Sequence, residues 1–124
     1  MSNYQHLSDS ELEVMQIIWK STPLVSRSAI EKELCQEKAL APSTILTFLT
    51  RLCDKGFLTL THQGRTNLYT PLIDQKDYLA GESRRFLDRV YGGSVSAFAA
   101  SLCDSGLTHE DAEALRKLLE DNAL

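Results

Sequence analysis

Residues 42–55 read PSTILTFLTRLCDK, and the polar residues of this stretch are of an unusual kind for a merely solvated helix. Ile45, Phe48, Leu49 and Leu52 recur at i, i+3, i+4 and i+7, the spacing of one buried helix face. Ser43, Thr44, Leu46, Thr47, Thr50, Arg51 and Asp54 fall off that face, where Glu and Lys would be usual. Short hydroxyl side chains let a helix sit deep in a groove, meet donors or acceptors on base edges, and offer methyl groups to thymine. Thr44 and Thr47 are the base-edge candidates and Leu46 a thymine-methyl contact. Arg51, Lys55 and Arg65 are candidates for phosphates, which hold register without reading sequence.

Catalytic chemistry has no comparable footing. His6, His62 and His109 are scattered, with no H-x-x-x-H spacing, no clustered carboxylates and no Gly-rich phosphate loop. Cys35, Cys53 and Cys103 are odd in number and widely spaced, without a C-x-x-C pair, which reads as reduced thiols in a cytoplasm. Cys35 and Cys53 read as small apolar fillers. Cys53 lies just outside the Ile45 face, where oxidation could disturb the groove-facing helix. The expectation is a protein that is not an enzyme and holds no cofactor or metal.

The elements that must position this helix follow from local signals. Ser8 followed by Glu11 is a capping box, leading into Leu12, Met15, Ile18 and Trp19 at helical spacing. Leu24-Val25 suggests a very short strand, and Ser26 caps a second helix with Ala29, Ile30 and Leu34 inward. The third helix starts at Pro42 and stops before Gly56. From Phe57 the period changes to two, turns at residues 63–66, and returns to Pro71: a β-hairpin. The order helix, short strand, helix, helix, hairpin is that of a winged helix-turn-helix over residues 1–72. Residues 73–124 read as a helical dimerisation region, with helices at about 75–91, around Val95 to Leu102, and from Thr108. The fold class is mainly α with a small β-hairpin wing.

The 124 residues amount to about one domain's worth of chain, with the composition of a soluble globular protein. The formal net charge of −4 argues, as an average, against a nucleic-acid partner. It is unevenly distributed: residues 1–72 are neutral, and the whole excess of acid lies in residues 73–124. Residues 39–72 hold Arg51, Lys55 and Arg65 against Asp54 alone. No apolar run reaches the length of a membrane span, so neither membrane insertion nor a targeting segment is expected.

Residues 7–19 (LSDSELEVMQIIW), 42–57 (PSTILTFLTRLCDKGF) and 91–95 (YGGSV) resemble the penicillinase repressor family of the BlaI, MecI and CopY type, and the likeness runs from about residue 7 to 120. The resemblance implies a cytoplasmic, homodimeric winged-helix transcriptional repressor. Its partner would be a double-stranded DNA operator of dyad form, with half-sites like TACA and TGTA, and its mode promoter occlusion, often at β-lactam-resistance or copper-handling genes. Carried over by position, it puts Ser43, Thr44, Leu46, Thr47 and Arg51 on the recognition helix and Arg65 on the wing. Phe86, Val90, Phe98, Leu102 and Leu115 would lie in or near the dimer interface. Some members carry basic residues at positions 43 and 46. Copper-sensing members have a C-terminal C-x-C…C-x-C site, whereas this chain has only Cys103 in that half. The β-lactam-responsive members are released by a membrane-bound sensor protease at an Asn-Phe bond; the matching position here is Ala100-Ser101. The inducing signal stays open.

Two other readings stand beside this one. A small-molecule- or thiol-responsive regulator could line a ligand cleft with Tyr69, Tyr78 and Phe86, and a winged helix can also serve protein partners without binding DNA.

Overall fold

The computed structural model describes residues 5–37 and 40–122, and only the backbone of residues 35–37. The elements run α1 (Asp9–Trp19), β1 (Val25–Ser26), α2 (Arg27–Glu37), α3 (Pro42–Asp54), β2 (Leu58–Gln63), β3 (Thr66–Pro71), α4 (Gln75–Tyr91), α5 (Val95–Asp104) and α6 (His109–Asn122). By contact density they form two compact units, divided within α4 after Glu82.

In the first unit, α1 opens with the expected capping box: Ser8 Oγ accepts from Glu11 N at 3.2 Å, and Ser8 N donates to Glu11 Oε1 at 2.9 Å. Its buried face is wider than the sequence spacing suggests. Val14 and Ile17 are buried along with Met15 and Ile18, because α1 packs against α2, α3 and β3 together. Ser26 Oγ accepts from Ala29 N at 3.1 Å and so caps α2. Ile30 and Leu34 of that helix are buried, whereas Ala29 is exposed.

The sheet is antiparallel with strand order β1-β3-β2; Val25 faces Tyr69, and Leu58 faces Pro71. Gln63 pairs with Thr66 across a two-residue turn, Gly64-Arg65, and Gly64 takes the positive φ of 64° that such a turn favours at its first position. Beyond Leu58 every residue of β2 is exposed, so the hairpin projects from the core as a wing.

The first unit runs eleven residues past the hairpin's end at Pro71, to Glu82. Tyr78 is 2% exposed, its hydroxyl accepts from Leu7 N at 3.1 Å, and its ring packs 5.4 Å from Phe57 and 5.8 Å from Trp19. Trp19 Nε1 donates to Ile73 O at 2.9 Å. The first turn of α4 thus closes the core formed by Met15, Ile18, Ile30, Ile45, Leu49 and Phe57.

The second unit comprises the rest of α4 with α5 and α6. Gly92 and Gly93 end α4 at positive φ values of 57° and 82°, a pair of conformations that residues with a Cβ adopt at a cost. Ser94 caps α5 by accepting from Ala97 N at 3.1 Å. Thr108 and Asp111 cap α6 reciprocally at 3.0 and 3.3 Å. Phe86, Tyr91 and Phe98 cluster with ring centroids 5.3 to 6.1 Å apart. No residue of α5 or α6 is buried.

Candidate nucleic-acid interface

Ile45, Leu49 and Leu52 are completely buried and Phe48 partly so, which fixes the rotation of α3 about its axis. Ser43, Leu46, Thr47, Thr50 and Arg51 consequently face outward, and Thr44 lies half-buried at the edge of the face. Two hydroxyls are already committed as donors: Thr47 Oγ1 bonds Ser43 O at 3.0 Å, and Thr50 Oγ1 bonds Leu46 O at 2.9 Å. A threonine so engaged keeps its lone pairs and its methyl for an outside partner. On a base edge these would meet the amino group of adenine or cytosine and the methyl of thymine.

The C-terminus of α3 is held twice. Gly56, at φ 83°, donates to Cys53 O at 3.1 Å, and Phe57 N donates to Leu52 O at 2.9 Å, which together make a Schellman motif sealed by the buried Phe57 and Leu52. The second hold is Lys55, whose Nζ lies 2.7 Å from Glu11 Oε1. Lys55, a phosphate candidate by its place in the sequence, has its ammonium paired with a carboxylate only 3% exposed, and its own side chain is 26% exposed. Burial pushes the Glu11 pKa up; the hydrogen bonds from Lys55 and Ser8 more than offset this and leave it below the ordinary carboxylate value.

Arg65 is exposed at the tip of the wing. Between α3 and the wing lies a groove of about 370 Å³, bounded by Leu46, Thr50 and Cys53 on one side and by Leu60, Asn67 and Tyr69 on the other. A cleft of about 290 Å³ between α2 and the wing is lined by Arg27, Ser28, Glu31, Arg65, Thr66 and Asn67. Sequence reasoning missed Arg27. The available signal was a Ser26-capped helix whose first turn holds no acidic residue to oppose an anion.

Tyr69 and Tyr78, considered for a ligand cleft, are each 2% exposed and belong to the core, and burial pushes the Tyr69 phenol up. Burial, aided by Asp54, likewise raises the Cys53 thiol pKa, which disfavours the reactive thiolate. Cys103 is exposed, and the side chain of Cys35 lies outside the described residues. His62 is exposed on β2, His109 begins α6, and His6 Nδ1 lies 2.9 Å from Glu82 Oε2. Among the described residues no three His, Cys, Asp or Glu gather as a metal set, and no helix is long and apolar enough to cross a membrane.

Of the residues expected at a dimer interface, Phe86, Val90 and Leu115 are exposed, at 41%, 52% and 40%, and Phe98 and Leu102 are half-buried. Val95, Leu118 and Leu119 add exposures of 60% or more to the same unit.

Comparison with known proteins follows the same lines. The family model described as penicillinase repressor matches residues 7–121. The penicillinase repressor of Bacillus licheniformis is 37% identical over 98% of this chain and 95% of its own length. The methicillin resistance regulatory protein MecI of Staphylococcus aureus is 31% identical over 91% of this chain and 92% of its own. Among solved structures, the DNA-binding domain of the repressor BlaI superposes with a TM-score of 0.55 at 42% identity, covering 63% of this chain and 94% of that domain. The monomeric form of Bacillus licheniformis BlaI in complex with the blaP half-operator matches over the same shares at a TM-score of 0.54.

Proposed function

Since the chain belongs to the penicillinase repressor family, a family of winged-helix DNA-binding transcriptional repressors and not of enzymes, we propose that it represses by occluding a promoter as a homodimer on a dyad operator. In this reading α3 enters the major groove of double-stranded DNA. Ser43, Thr44, Leu46 and Thr47 meet base edges there, Arg51 and the wing Arg65 hold phosphates, and Lys55 positions α3 through Glu11.

The observation that carries this reading is the orientation of α3: a fully buried Ile45–Leu49–Leu52 stripe turns a hydroxyl- and leucine-bearing face outward beside an exposed wing. Dimerisation is supported by the apolar residues that α4, α5 and α6 leave uncovered, Val90, Val95, Leu118 and Leu119 among them. Two recognition helices would then be spaced one DNA turn, about 34 Å, or a multiple apart. The place of action is the cytoplasm. Relief by a membrane-bound sensor protease would have to act at Ala100-Ser101, which is exposed on α5 but carries neither the Asn nor the Phe of the bond cut in relatives.

Selection of bound duplexes from a random pool tests the reading. The expected product is a two-fold symmetric site with half-sites in helical phase; enrichment of no sequence would refute it.

A further inference from the structure

The cleft between the first turn of α2 and the tip of the wing brings Arg27 and Arg65 to one concavity with Glu31, a formal charge of +1 among its ionisable side chains. Arg27 reaches Glu31 through Nε, at 3.4 Å and one helical turn away. A guanidinium approached at Nε retains its terminal N–H groups for a second, bidentate partner. Glu31 Oε1 is buried and accepts no hydrogen bond from the described residues, so its effect on Arg27 is electrostatic: it draws the guanidinium toward the α2 wall of the cleft. The first turn of α2 is capped by Ser26 and holds no acidic residue, leaving the positive end of the helix dipole unopposed beside the two arginines.

The cleft also adjoins the face already described. Asn67 lines it and lines the groove that Leu46 and Thr50 of α3 form with the wing. A nucleic-acid strand lying in that groove would pass over Asn67 into the cleft.

We infer that this cleft seats a phosphodiester of the bound DNA strand beside the base pairs met by α3, with Arg27 and Arg65 as its two cationic arms and Ser28, Thr66 and Asn67 as polar lining. The inference rests on the DNA-binding reading above and adds Arg27 to it. A phosphodiester matches the small positive charge and the forked donors of the site. A free phosphorylated ligand would share that chemistry, so the test must separate the two sources.

The test is a protein–DNA double-mutant cycle on the full chain. Wild type and Arg27→Gln are titrated with a duplex selected from a random pool, and with copies carrying one neutral methylphosphonate at each backbone position in turn. Arg27→Gln should bind about tenfold more weakly to selected and scrambled duplexes alike, and its slope of log affinity on log salt should be shallower by roughly 0.9 per bound subunit. One methylphosphonate position should weaken wild type and leave Arg27→Gln unaffected, a coupling that a merely structural role for Arg27 would not produce. If wild type binds DNA while Arg27→Gln shows unchanged affinity and slope, the assignment of Arg27 falls and the DNA reading stands. If wild type binds no duplex, both fall. Binding of inorganic phosphate that Arg27→Gln abolishes, with DNA affinity unchanged, would make the cleft a site for a free anion and overturn the inference.

Discussion

Lys55 Nζ and Glu11 Oε1 lie 2.7 Å apart, joining the C-terminal cap of α3 to the N-terminal capping box of α1. One carboxylate oxygen serves both ends: it accepts from Ser8 N at 2.9 Å and from the Lys55 ammonium. The C-terminal end of α3 is therefore tied to a residue in the first turn of another helix.

Glu11→Ala should destabilise the protein by about 3 kcal/mol, of which about 1 is the lost cap and the remainder a hydrogen bond to a charged group. Glu11→Gln keeps the capping box and should cost less. Because the folded-state pKa of Glu11 lies below its ordinary value near 4.5, its contribution is fully present above that value and is lost as pH falls through the folded pKa. Urea denaturation at stepped pH should show this acid loss in wild type and a diminished one in Glu11→Gln.

The same pair divides the cations. Lys55→Gln should lower stability and leave the salt dependence of DNA binding nearly intact, since its charge is already neutralised. If Arg51, Arg65 and Arg27 of two subunits each hold one phosphate, as proposed, about six contacts give a slope of log affinity on log salt near −5. Binding isotherms from about 50 to 200 mM salt check both statements.

Thr47 separates reading from holding. Its hydroxyl donates to Ser43 O at 3.0 Å, so toward DNA it is an acceptor. Thr47→Val keeps the methyl and Thr47→Ser keeps the oxygen. A loss of about 1–3 kcal/mol on the selected site in Thr47→Val alone would identify an amino-group contact, and a loss in Thr47→Ser alone a thymine methyl. Arg65→Ala, by contrast, should weaken binding to all sequences equally.

Leu118 is 60% exposed, so Leu118→Glu should leave the fold unharmed by circular dichroism. If the uncovered apolar residues of α4–α6 form a two-fold interface, sedimentation equilibrium will show a dimer for wild type and a shift toward monomer for the variant. A wild-type monomer at tens of micromolar would contradict the dimer reading.

Oxidation should act elsewhere than on α3. With Cys53 partly buried and its pKa raised by burial and Asp54, a thiol reagent should label exposed Cys103 well before Cys53 in single-cysteine variants. Faster labelling of Cys53 would restore the thiol-switch alternative.

Much of this architecture is written in local signals. The Ser8–Glu11 capping box, Pro42 at the start of α3, the glycine at position 56 that ends it and the turn of the hairpin each act within five or six residues, and each is found where the sequence places it, although the strands do not bury alternate residues. The buried stripe of α3 follows from its spacing and, with it, the outward threonines. What the sequence conceals is long-range. Glu11 and Lys55 are 44 residues apart, and nothing local distinguishes a lysine bound to a buried carboxylate from one free to meet a phosphate. Tyr78 sits in the first turn of α4, yet its hydroxyl closes the first unit by accepting from Leu7 N, 71 residues away. Arg27 gains its meaning only when the sheet brings the wing beside α2.

In the repressor proposed above, the exposed face of α3 reads sequence. The most direct test is the ratio of affinities for the selected dyad duplex and a scrambled duplex of equal length, measured at one physiological salt concentration. The expected result is a preference of at least about a thousandfold, falling when Thr47 is replaced by Ala. Equal affinity for the two duplexes would contradict it.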